Sequence, residues 1–162
     1  MMKIGTVGLF LGAVSLCYAS AGAQPTSLAR AGTAPRGVNE TYRALKHYFS
    51  DPSLSGLFKL VSADEKTHTI VARRSGIDTQ TWSDWAYCKL GPEHLLDTLQ
   101  DNSATIKAKI APAGRNSSFV SVTGYFEATY GLGSSNASTS CVSKGTLEKN
   151  ILSAAGASPS AD

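Results

Sequence analysis

The sequence predicts an α+β fold, an antiparallel sheet with helices packed on one of its faces. Three observations carry that expectation. Apolar side chains recur at helical spacing in three stretches: Tyr42/Leu45/Phe49, Leu95/Leu96/Leu99 and Leu147/Ile151/Leu152. Between them lie segments of strict alternation, such as Ile106, Ala108 and Ile110 against Lys107 and Lys109, the pattern of a strand buried on one side. The order strand, strand, strand, helix can also be read twice, which suggests a tandem pseudo-repeat, with common α+β grammar as the alternative.

Residues 1–23 have the parts of a secretory signal: Lys3 at the start, an apolar run from Ile4 to Tyr18, and the small residues Ala21-Gly22-Ala23 before a cleavage point at Gln24. The run falls short of the roughly 20 apolar residues that span a bilayer, although a retained N-terminal anchor is the alternative. Cys17 follows Leu16, whereas a lipid-anchoring motif wants a small residue there, so lipidation is disfavoured. Residues 24–37 mix Pro, Gly and small residues without periodicity and read as a flexible leader; residues 156–162 read as a disordered tail. A single domain is expected between them, over residues 38–155.

The first helix is expected from Asn39, as N-cap, to Phe49, where Asp51-Pro52 stops it. A hairpin follows, with Phe58 and Leu60 on one strand, a turn at 63–66, and Ile70 and Ala72 on the return. Aromatic and β-branched residues suggest a third strand over 79–90, and Gly91-Pro92-Glu93 opens a second helix carrying Leu95, Leu96 and Leu99. The second half repeats the order. It has a strand at 106–110, a turn over 112–118, a long strand with Val120, Val122, Phe126 and Ala128 on one side, and a connector at 131–136. A strand through Cys141 and a helix entered at Gly145-Thr146 and stopped at Gly156 complete it.

Removing residues 1–23 from the 162 leaves 139, and losing Lys3 lowers the formal charge from +3 to +2. A clustered basic face is the footprint of nucleic-acid binding, and this charge is too small and too dispersed to supply one. Past residue 23 no stretch is apolar enough to span a membrane. Cys88 and Cys141 are the two cysteines left, an even count that suits an oxidising compartment. Each sits near the end of the third strand of its half, so a pseudo-twofold arrangement would bring them together; two buried free thiols are the alternative.

Chemistry is harder to find. His47, His68 and His94 have no partner at metal-ligand spacing, so no metal or cofactor is expected. No Gly-x-Ser-x-Gly elbow is present, and Gly131 to Asn136 lacks the ending of a phosphate loop. Asp64, Glu65, Asp78 and Asp84 read as scattered solvated acids rather than a glycosidase pair. Asn39, Asn116 and Asn136 begin acceptor tripeptides for glycosylation, which in a bacterial chain mean only polar turns. The feature with most functional promise is an aromatic and basic sheet face made of Trp85, Tyr87, Lys89, Lys107, Lys109 and Tyr125. Such a face can hold a partner protein, a glycan or an anionic ligand.

From its signal to the segment Cys141-Val-Ser-Lys-Gly-Thr-Leu-Glu, the chain resembles small exported proteins of uncharacterised function from Burkholderia-type proteobacteria. That group includes surface antigens, so the resemblance implies an exported and antigenic protein and assigns no site residues. Two functional readings follow. The first is a non-enzymatic periplasmic or secreted protein that binds an envelope or host protein, or a glycan, through the sheet face. The second is a small periplasmic hydrolase whose site is assembled from residues far apart in sequence.

Overall fold

The computed structural model describes residues 29–89, 98–132 and 135–160. The signal segment, Cys17 and the body of the expected second helix lie outside them. The described elements run β1 (Ala29–Ala34), α1 (Val38–Ser50), α2 (Pro52–Ser55), β2 (Lys59–Asp64), β3 (Thr69–Ser75), α3 (Thr79–Trp85), β4 (Ala86–Tyr87), β5 (Thr98–Gly114), β6 (Ser117–Leu132), β7 (Ser135–Ser143), α4 (Thr146–Ala154) and β8 (Ser158–Pro159). The architecture is α+β, as expected. The strands form one antiparallel sheet in the order β2-β3-β5-β6-β1-β8, with β7 also on β6 and β4 on β7.

The long strand β6 is the spine. Nearly its whole length pairs with β5, from Ser117 opposite Gly114 to Gly131 opposite Thr98. On its other edge the first half pairs with β1 (Ser118 with Ala34, Thr123 with Ala29) and the second half with β7 (Phe126 with Cys141, Leu132 with Ser135). Alternation sets the faces. Val120, Val122, Phe126 and Ala128 of β6, Ala104, Ile106, Ala108 and Ile110 of β5, and Ile70 and Ala72 of β3 are all buried. They meet Tyr42, Leu45 and Phe49 of α1, and Leu147, Ile151 and Leu152 of α4, in a single core. A buried hydroxyl pair, Thr41 with Ser118 at 2.8 Å, fastens α1 to the spine.

Several expectations need correction. Residues 29–34, assigned to the flexible leader, form β1, whose small residues carry too weak an alternation to register as a strand. The tail is ordered through Ser160. Ala157 is buried, β8 pairs with Gly32 and Thr33, and the Ser160 N–H donates to the Ala31 carbonyl at 2.9 Å. Gly32 makes this possible, since a Cβ there would collide with the Ser158 carbonyl oxygen. The expected third strand over 79–90 is mostly the helix α3. Asp78 caps it by accepting from the Thr81 N–H at 2.9 Å, and buried Trp82 meets Phe126 edge-on at 5.7 Å. Local capping and tertiary burial outvote the β-propensity of Thr and Trp here. With a helix in that place, the first half does not repeat the strand order of the second.

Leu99, assigned to a helix, belongs to β5. Asn39 is not the cap of α1; Gly37 holds that position without a side-chain hydrogen bond. Phe58 lies just ahead of β2, buried in the core, and the hairpin turn falls at 65–68 rather than 63–66. The turn expected over 112–118 shrinks to Arg115-Asn116, and strands occupy Gly131, Leu132, Ser135 and Asn136 of the expected connector. Both expectations placed loops wherever polar and small residues clustered, but an exposed hairpin end tolerates such residues without losing its ladder.

Candidate functional site

Among the described residues, no helix covers the sheet face opposite the core, and several of its side chains are exposed. Its rows follow from the register: Thr69, Lys109, Ser121 and Ala31 in one; Val71, Lys107, Thr123 and Ala29 in the next; Arg73, Thr105 and Tyr125 in the third. Lys107 and Lys109 are exposed, two residues apart on the same side of β5. Tyr125 is 39% exposed and Phe119, on the same side of β6, 40%. Two further exposed groups, Tyr87 (61%) and Val142 (41%), face each other across the β4–β7 pair.

Of the six residues expected to form the face, Lys107, Lys109 and Tyr125 therefore share it directly. Tyr87 is exposed on β4, reached through β7, and Lys89 is exposed just beyond that short strand. Trp85 does not belong to it. Standing at the end of α3, it packs its ring against Phe58 at 5.9 Å, and the Arg74 guanidinium carbon sits 5.5 Å from the ring centroid. The expected alternation assumed a strand through residue 85, and the helix there turns the indole toward the core.

Cys88 and Cys141 form a disulfide, as the cysteine count suggested. The register that pairs Ala86 with Ser143 and Tyr87 with Val142 sets the two cysteines opposite each other at the next position. The bridge thereby ties β4 to β7, which pairs with the second half of the spine.

Sequence reasoning missed a polar cavity at the distal end of the open face. Of about 370 Å³, it is lined by Arg73, Asp101, Ser103, Glu127, Ser138 and Ser140 among others. Arg73 donates to Ser103 Oγ at 3.1 Å and stands 3.9 Å from Glu127 Oε2. Nothing but registers would have brought these residues together, since they come from β3, β5, β6 and β7. A second cavity, about 260 Å³, is lined by Asn39, Tyr42, Arg43, Glu65 and His68. His68 Nε2 lies 2.8 Å from Asn39 Oδ1, within hydrogen-bond distance. Neither cavity joins a histidine, a carboxylate and a serine, the arrangement the hydrolase reading asks for. His47 is exposed in the last turn of α1, and His94 lies outside the described residues. Among the described residues no three His, Cys, Asp or Glu side chains are grouped as a metal site. No helix among them is long and apolar enough to cross a membrane.

Beneath the face, Glu148 in the first turn of α4 is fully buried. Ser143 Oγ donates to its Oε1 at 2.6 Å, and the Gly145 N–H donates to Ser143 Oγ at 2.9 Å. Burial raises the carboxyl's pKa above its ordinary value; the Ser143 bond and the positive charge of Arg30 oppose that shift.

No protein-family model matches this chain, no curated protein matches it in sequence, and no solved structure matches it in fold.

Proposed function

We propose that this is an exported, non-enzymatic binding protein of the bacterial envelope or secretome, which holds an anionic partner against the open face of its sheet. The observation that carries the reading is the sharing of one sheet face by Lys107, Lys109 and exposed Tyr125. Lysines on a flat sheet steer and hold negative charge, while exposed aromatic rings supply contact area at little cost in side-chain entropy. The disulfide is compatible with an extracytoplasmic setting, and the signal-like residues 1–23 support export. The partner is an acidic envelope or host protein, or an acidic glycan. A surface position would also make the protein antigenic, as the resemblance to exported Burkholderia-type proteins implies.

The test is retention of envelope extracts and acidic polysaccharides by the immobilised protein, compared with a Lys107→Glu/Lys109→Glu variant and with Tyr125→Ala. Both are expected to fold normally, because the replaced side chains are solvent-facing. The charge reversal should lower retention at least tenfold, in a salt-sensitive way, as expected for exposed charges. Equal retention by parent and variants would sink the reading.

A further inference from the structure

At the β2 end of the sheet, apolar side chains gather on the outside of the molecule. Leu54 is 51% exposed, Leu57 64% and Val61 62%, the last two lining a depression of about 620 Å³ with Pro52, Lys59, Arg73 and Arg74. Among the described residues no carboxylate lines it, although Glu127 and Asp78 stand 3.9 Å from Arg73 and Arg74. The local backbone is arranged to create this surface. Gly56 (φ +62°) and Leu57 (φ +72°) are both left-handed, so the chain swings Leu57 outward before Phe58 turns into the core. A leucine in that conformation is disfavoured by crowding at its Cβ, and here it contributes no core packing in return. An outward leucine in an unfavourable conformation calls for an external contact.

Three occupants fit an exposed sheet edge: a second copy of the chain, an extended peptide, or a lipid surface. The first two would pair with β2 as a ladder. The β2–β3 register shifts between Leu60 and Ser62, leaving Val61 as a bulge, and a bulged edge with a lysine at its start is poorly suited to accept another strand. Apolar tips beside Lys59, Arg73 and Arg74 suit an anionic bilayer, with Lys59 the main attractive charge because Glu127 and Asp78 stand beside Arg73 and Arg74. The aliphatic groups enter the interfacial region while the cations meet lipid phosphates.

We infer that the Leu57/Val61 surface, with Lys59 and Arg73, docks the protein peripherally on membranes rich in anionic lipid. This surface shares Arg73 with the open face, but its test uses different residues.

Co-sedimentation of the full chain with vesicles tests it, comparing phosphatidylglycerol/phosphatidylcholine mixtures with phosphatidylcholine alone. The apolar run near the N-terminus adds the same background to every variant, so the readout is the difference between variants. Leu57→Gly is the decisive change, because glycine accepts the left-handed backbone and the fold should be at least as stable as the parent. Its affinity for anionic vesicles is expected to fall about tenfold, the order of one leucine side chain's transfer. Lys59→Gln should cost about fivefold on anionic vesicles and little on neutral ones. Three results would overturn the inference: no preference of the parent for anionic vesicles, undiminished binding by Leu57→Gly, or a parent dimer that Leu57→Gly turns into a monomer.

Discussion

Glu148 shows how a single residue couples the fold to pH. It lies fully buried at the start of α4, where unpaired N–H groups favour a negative charge, yet burial holds its pKa above the ordinary carboxylate value. An acid whose folded pKa is raised binds its proton more tightly when folded. Its ionisation therefore imposes a stability penalty that is absent below the unfolded pKa and complete above the folded one. Asp51, Asp64 and Asp78 act the other way. Hydrogen bonds from Ser53, Thr67 and the Thr81 backbone lower their pKa values, so their contribution is present near neutrality and is lost as pH falls through those lowered values. Comparing the parent with Glu148→Gln cancels these three. In urea unfolding between pH 4 and pH 7, the parent should lose stability relative to the variant as pH rises; a pH-independent difference would refute the assignment. Glu148 was invisible in the sequence as a site, because an acid in a first helical turn is ordinarily a surface residue. Its burial comes from β6, where Gly124 leaves room for the carboxylate.

Among the elements, β4 shows what the disulfide contributes. Two residues of ladder would not hold by themselves, but the Cys88–Cys141 bridge spans 53 residues of sequence and fastens β4 to β7. The chain-entropy model assigns such a closure about 4 kcal/mol of stabilisation. Reduction, or the Cys88→Ala/Cys141→Ala pair, should lower stability by about that amount in denaturant titration, and reductant should not affect the alanine variant further. Elements with strict periodicity were legible: α1 from Tyr42, Leu45 and Phe49, the middle of β5 from Ile106 to Ile110, and β6 from Val120 to Ala128. Elements whose identity depends on what they touch were not. α3 is decided by the Asp78 cap and by Trp82 meeting Phe126, and β1 by its partners on either side. The same division runs through the candidate face. Lys107, Lys109 and Tyr125 were readable from alternation alone, whereas Trp85 was misplaced with the helix that carries it.

For the molecule as a whole, closure depends on both ends of the described chain. β8 covers the outer edge of β1, and Ala157 is inserted into the core. Truncation after Ala155 should therefore cost about 2 kcal/mol or more, through lost ladder hydrogen bonds and buried apolar surface. Faster amide exchange in β1 should accompany the loss, and unchanged protection there would show that β8 is dispensable.

The place of β1 on the spine also constrains the order of assembly. Ala34 finds its partner in Ser118, and Gly32 is enclosed only when Ser158 arrives. Synthesis from the N-terminus delivers β1 first and β6 much later, so the earliest strand waits without a neighbour while most of the sequence emerges. Its composition suits that wait: Ala, Arg, Ala, Gly, Thr and Ala form a segment too small and too weakly apolar to associate with other chains. The plainness that hid β1 in the sequence thus protects it during the interval when it has nothing to pair with.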